Sequence, residues 1–207
     1  MAFLFEHARE CQQIETKYGL ALLMHQEERA EQLANDILDL QVKVKNAEMI
    51  DFVRAVSPIL YHLYTRLMRE QLPQLDHFIT NAKNDQYDSW NFLAMQASSE
   101  SLVKAFLSSS RAKNVTTSSL VEFLGLTLWP QDIKASIRQL RQFEKSVCNP
   151  IAHLIKAFDE EELYRTTRFS SELFLEQIIA LAQFLSVQYP SSPFYFDQID
   201  AVIKQIV

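Results

Sequence analysis

Across 207 residues the chain contains only two glycines, Gly19 and Gly125, and six prolines. A protein made of many hairpins needs a turn former every few residues, so this supply disfavours most all-β folds and suits long helices with few connections. Forty-eight per cent of the residues are apolar and 22% charged, ordinary for a globular protein and enough to bury a sizeable core without metals or disulfides. The expected fold class is all-α, a helical bundle. No linker, repeat or compositional break divides the chain, so residues 1–207 read as a single domain.

The apolar spacing agrees with helices. A short amphipathic segment over residues 3–17 breaks near Tyr18-Gly19. From Leu20 to about Val44 the residues Leu22, Leu23, Leu33, Ile37 and Leu40 recur at helical spacing, with Glu27, Glu28, Arg29 and Glu31 on a solvated face. A second long helix is predicted from about Ala47 to Gln71, kinked or restarted at Pro58 and ended by Pro73. A polar loop follows over 81–89, then a helix from Trp90 to about Ser109. Residues 108–114 form another loop, in which Arg111-Ala112-Lys113 is exposed, and Thr116-Thr117-Ser118-Ser119 caps a helix over 120–126. Pro130 opens a helix to about Val147, whose residues Ile133, Ile137, Leu140, Phe143 and Val147 lie at spacings of 4, 3, 3 and 4, a core stripe. Further helices are expected near 159–166, 170–188 and 195–206.

Charge and cysteine usage narrow the class. A formal charge of −6 argues against a general nucleic-acid scaffold, since phosphate affinity comes chiefly from Lys and Arg, yet it leaves room for a local basic cleft. Cys11 and Cys148 show no metal-ligand spacing, and His7, His25, His62 and His77 are scattered without a zinc-binding pair, so no metal or other cofactor is expected. The start of the chain lacks a basic region followed by a long apolar run, and no stretch reaches the roughly 20 apolar residues of a membrane span. The expected location is the cytoplasm.

Residues 148–153 read Cys-Asn-Pro-Ile-Ala-His. Asn is a strong helix N-cap and Pro is favoured at the first helical position, so a helix is predicted to begin near Asn149. Free backbone N–H groups at such a start favour an anion such as phosphate, and His153 lies about one turn further on. Histidine titrates at about 6.5 and suits proton transfer at neutral pH. Acid/base work beside a phosphodiester is the chemistry this run suggests.

The same run resembles the R-N-x-x-A-H signature of HEPN ribonucleases, in particular the HEPN effector domain of type III CRISPR ancillary nucleases. Asn149, Ala152 and His153 match it. The acidic helix start Asp159-Glu160-Glu161-Glu162 and the helix start Ser170-Ser171-Glu172 follow in an order similar to that family's. At the family's arginine this chain has Cys148. The resemblance implies an HEPN-like helical bundle that cuts single-stranded RNA without metal in antiviral defence, as a homodimer whose two motifs form a composite site and leave a 2′,3′-cyclic phosphate. His153 would then be catalytic and Asn149 its positioning partner. It also implies that cyclic oligoadenylate acts only through a sensor domain outside this chain, the chain being a domain excised from a longer sensor-effector protein.

Cys148 cannot replace a guanidinium, because a thiol has no fork of donors and its ionised form repels phosphate. Three explanations compete: activity lost in the natural sequence, an altered arginine, or a neighbouring cation that substitutes for it. Lys145 and Arg141, three and seven residues earlier, share its helical face and are the candidate RNA-binding substitutes. Arg168, in the run Arg165-Thr166-Thr167-Arg168, is a further candidate RNA contact, although a solvated helix end explains that run nearly as well. Two competing readings stay open: a catalytically degenerate HEPN dimer that binds RNA or protein, and a helical interaction module in which Asn149-Pro150 only starts a helix. Cys148 also reads as a small buried hydrophobe, the acidic run 159–162 as favourable charge in a first helical turn, and Phe194-Tyr195-Phe196 as core or interface.

Overall fold

The computed structural model describes residues 13, 15–17, 19, 26–80, 88–151, 158–189, 197, 200, 201 and 204, with the backbone alone over 148–151. Among these the fold is helical, as the shortage of turn formers requires. Helix α1 (Glu28–Lys45) and helix α2 (Met49–Gln71) open it, joined by a tight turn in which Ala47 takes a positive φ of 58°. A 3-10 turn (Leu75–Phe78) leads into strand β1 (Ile79–Thr80), which pairs antiparallel with strand β2 (Ser89–Trp90). Helices α3 (Phe92–Ala97), α4 (Ser101–Ser109), α5 (Thr117–Gly125), α6 (Gln131–Ile151), α7 (Glu160–Thr167) and α8 (Ser171–Phe184) complete the order.

Helix α2 is the central element. It packs on α1, α5 and α6, and residues from Met49 to Met68 are buried around it, including Phe52, Val56, Leu60, Leu63 and Tyr64. Pro58 does not restart it, since α2 is continuous through the proline. The bond that proline removes would reach the carbonyl of Arg54, one turn earlier. Both residues lie on the exposed face, where water can serve that carbonyl while the buried face packs on unbroken.

Two aromatic clusters fix the layers. Phe52 of α2 meets Phe174 of α8 edge-on at 5.7 Å and Phe143 of α6 at 6.4 Å, and Phe143 and Phe174 lie 4.3 Å apart between centroids. Trp90 of β2 meets Phe106 of α4 at 5.4 Å and Phe123 of α5 at 5.7 Å, while Phe106 and Phe123 stack at 4.2 Å. The second cluster explains a difference from the sequence expectation. The single helix foreseen from Trp90 to Ser109 is instead β2 followed by two helices with a break at residues 98–100. Trp90 N–H donates to the Lys113 carbonyl at 2.9 Å and Asn91 N–H to that of Phe78 at 2.8 Å. An extended backbone holds the buried indole between α4 and α5 and satisfies these partners, which a helical start at Trp90 would lose.

Other expectations hold. Thr116 caps α5 through its side chain, with Ser119 closing a reciprocal capping box. Asp159 caps α7 and Ser170 caps α8. Helix α8 ends at Phe184, earlier than the 188 expected, because Ser186 takes a positive φ of 58° and closes the chain back on Ala182. The amphipathic segment 3–17 and the last helix at 195–206 fall mostly outside the described residues; Gln13, residues 15–17, Asp197, Asp200, Ala201 and Lys204 are helical. Phe194-Tyr195-Phe196 lies outside them entirely.

Since Phe174 is fully buried where α2, α6 and α8 meet, Phe174→Ala is expected to cost about 3–5 kcal/mol of stability. Urea unfolding followed by far-UV circular dichroism measures this; a loss below about 1 kcal/mol would mean that these three helices do not share one packed core.

Candidate functional site

The first four residues of the motif, Cys148 to Ile151, lie in the last turn of α6 as described. That helix runs from Gln131 through Ile151, so Asn149 is inside it and does not start a new helix. Asn149-Pro150 reads as a start by local preference, but the helix already running from Gln131, with Val147 buried just before the motif, continues through it. The missing N–H of Pro150 removes one helical bond, the one that would reach the Ser146 carbonyl a turn earlier. Backbone N–H groups near Asn149 are accordingly not the open anion site that a helix start would provide. Cys148, Asn149, Pro150 and Ile151 are described by backbone alone, and Ala152 and His153, the proposed catalytic residue, lie outside the described residues.

The segment that carries the motif leaves from a well-anchored support. Glu144, five residues before Asn149 and so about 7–8 Å away along the axis, has a side chain only 4% exposed. Its Oε1 accepts from Ser57 Oγ of α2 at 2.6 Å and from Thr117 Oγ1 of α5 at 2.9 Å. Its Oε2 takes Arg141 Nη1 at 3.0 Å. One buried carboxylate thus joins three helices. Half a helix away, Tyr64 Oη donates to the Ile137 carbonyl at 3.1 Å. Burial, reinforced by the Glu144 charge and opposed by Arg141, raises the Tyr64 hydroxyl well above its ordinary pKa, so it stays a donor.

These contacts sort the expected RNA-binding cations. Arg141 is partly buried and committed to Glu144, while Lys145 is exposed on α6. The two do share a face, but only Lys145 is presented to solvent as a charge near the motif. Arg168 is exposed and ends α7 in the left-handed conformation, with φ 61° and its N–H donating to the carbonyl of Tyr164 at 2.8 Å. Arg111 and Lys113 are exposed in their loop, as expected.

Downstream of the motif, two caps fix where the chain resumes. Asp159 Oδ1 accepts from Glu162 N–H at 2.9 Å and Ser170 Oγ from Leu173 N–H at 3.1 Å. Glu160 Oε1 accepts from Ser171 N–H at 2.8 Å, tying α7 to the start of α8. Phe158 and Leu163 are buried beside them. Among the described residues no three His, Cys, Asp or Glu side chains converge as metal ligands, and no helix is long and apolar enough to cross a membrane.

Sequence reasoning missed Glu144, Ser57 and Thr117. A signal for Glu144 was available: it lies four residues after Leu140 and three before Val147, placing a carboxylate within the core stripe.

An all-α bundle with this motif at the end of a buried, amphipathic helix, followed by Asp- and Ser-capped helices, has the organisation of an HEPN-type domain. The family model described as the Cas_Csm6 HEPN domain matches residues 22–204, and the chain belongs to that family of CRISPR-associated domains. No curated protein matches the chain.

Because Arg141 neutralises a buried carboxylate, Arg141→Ala is expected to destabilise the fold by about 1–3 kcal/mol, whereas Lys145→Ala changes stability by less than about 0.5 kcal/mol. Parallel urea titrations of the two variants check this. Equal, negligible losses would free Arg141 for phosphate and contradict its structural role.

Proposed function

We propose that this chain is a metal-independent endoribonuclease domain that cuts single-stranded RNA in type III CRISPR antiviral defence, acting as a cytoplasmic homodimer. The observation that carries this reading is the coincidence of the family match over residues 22–204 with Asn149, Ala152 and His153 of the signature. In this proposal residues 1–207 form a single HEPN domain, and control by cyclic oligoadenylate comes through a sensor domain outside this chain.

The chemistry follows from what RNA supplies. His153 takes the proton of a ribose 2′-hydroxyl as that oxygen attacks the adjacent phosphorus. The P–O5′ bond breaks, the leaving 5′-oxygen gains a proton from the second protomer's copy of the motif, and a 2′,3′-cyclic phosphate remains. No redox change or metal-bound nucleophile is needed. Asn149 positions His153, and charge on the transition state is balanced by cations. Cys148 supplies none, so Lys145 is the better-placed substitute, with Arg168 as a further contact and Arg141 largely occupied by Glu144.

Cys148 also favours a second reading, a catalytically degenerate HEPN dimer that binds RNA or a protein without cutting. A guanidinium makes bidentate contacts with phosphate oxygens that a thiol cannot reproduce.

The test is cleavage of a labelled single-stranded RNA in EDTA. The ribonuclease reading predicts EDTA-resistant cleavage that falls at least about 100-fold in His153→Ala and rises at least about tenfold in Cys148→Arg. RNA binding without cleavage in all three proteins would replace it with the degenerate binding module.

A further inference from the structure

Away from the motif, α1, α2 and the 3-10 turn enclose an open cavity of about 470 Å³, within the roughly 300–1,000 Å³ typical of small-ligand pockets. It lies toward the C-terminal half of α2. Ser57 of α2 meets Glu144 while Tyr64 meets Ile137, so α6 runs antiparallel to α2 and its motif end faces the opposite half. The cavity and the last described turn of α6 are therefore separate places on the fold.

Arginines dominate one end of this cavity. Arg29 of α1 and Arg69 of α2 share one carboxylate, Asp76: Oδ2 takes Arg29 at 3.1 Å, and Oδ1 takes Arg69 Nη2 at 2.8 Å. Arg66 holds Glu27 through Nη1 at 2.9 Å. Two carboxylates thus serve three guanidiniums. The Nε of Arg66 is buried and has no hydrogen-bond partner among the described residues, which is costly for a cationic donor; a turn of this side chain toward the cavity it lines would let a ligand complete it. Burial works against ionisation of Asp76, but the guanidiniums of Arg69 and Arg29 outweigh it and hold the carboxyl below its ordinary pKa.

The other end has a different character. Tyr61 and His62 also line the cavity, eight and seven residues before Arg69 and so about 10–12 Å from it along α2. Their rings lie 6.2 Å apart at 65°, and Leu33 and Ile79 add apolar wall. Asp88 accepts from the Tyr61 hydroxyl at 3.4 Å, a long contact. A bare inorganic anion could complete Arg66 but would leave this end unused.

We propose that the cavity is a nucleotide-binding site: the phosphate ester completes Arg66 beside Arg69 and Arg29, and the base lies against Tyr61 and His62. The shared chemistry is a phosphomonoester carrying a base. Its source is either a free mononucleotide or the 5′-phosphorylated end of an RNA strand. This site does not depend on the ribonuclease reading.

Isothermal titration of the intact chain with adenosine 5′-monophosphate, adenosine and inorganic phosphate tests the proposal. A second arm uses a 2′-O-methyl RNA tetranucleotide, which cannot be cleaved through its 2′-hydroxyls, with and without a 5′-phosphate. The mononucleotide is expected to bind at least tenfold more tightly than adenosine or phosphate. Arg66→Ala should weaken it at least tenfold and Arg54→Ala, whose arginine is exposed and paired with Asp51 outside the cavity, should leave it unchanged. Binding only by the 5′-phosphorylated RNA, with the same Arg66 dependence, also supports the site and assigns it to a strand end. Failure of both probes to bind, equal binding of adenosine, or equal loss in Arg54→Ala overturns it. Should Arg66→Ala fail to fold by circular dichroism, Arg29→Ala decides the matter, because Arg29 is half exposed. An unchanged affinity in that variant overturns the proposal.

Discussion

The buried Glu144 carboxylate is the constraint on which the placement of the motif depends. A carboxylate removed from water is costly unless its oxygens are met by good donors, and here the donors come from α2, α5 and α6. Any rotation or slide of α6 that breaks one of these contacts leaves charge uncompensated in the core. Phe143, the adjacent residue, is meanwhile locked between Phe52 and Phe174. Polar and apolar contacts on neighbouring positions of one helix therefore select the same register, and apolar packing alone would select it less sharply.

That register matters because α6 delivers the motif. A catalytic constellation performs best when its supports are rigid and its side chains are held from behind. The chain reaches residue 151 as part of a helix anchored on α2, and it resumes at Phe158 and Asp159, where Asp159, Glu160 and Ser170 fix the starts of α7 and α8. Both flanks of the motif are thus determined by hydrogen bonds within the bundle. Cys148 stands one helical turn beyond Glu144, on the last stretch of that support.

Much of this was legible in the sequence, for identifiable reasons. Long periodic stretches revealed α1, α2 and α6, and short polar caps revealed the starts of α5, α7 and α8, because Thr116, Asp159 and Ser170 act on backbone groups within three residues. Trp90 was misleading: its extended backbone is imposed by Lys113, Phe106 and Phe123, which are distant in sequence. Asn149-Pro150 misled differently, since a strong local start signal falls inside a helix already running from Gln131. Glu144 was overlooked because a lone charge on an amphipathic helix ordinarily faces water, and its partners Ser57 and Thr117 come from two other helices. The family match supports the resemblance read from Asn149, Ala152 and His153, whose individual chemistry rests on function rather than fold.

The ends of the RNA products test the central mechanistic claim most directly. Mass spectrometry of RNA cut by the Cys148→Arg protein should find a 2′,3′-cyclic phosphate on the upstream fragment and a 5′-hydroxyl on the downstream one, the signature of attack by the ribose 2′-oxygen. A 3′-hydroxyl opposite a 5′-phosphate would show that water or a metal-bound nucleophile attacks instead, and would contradict the proposed role of His153.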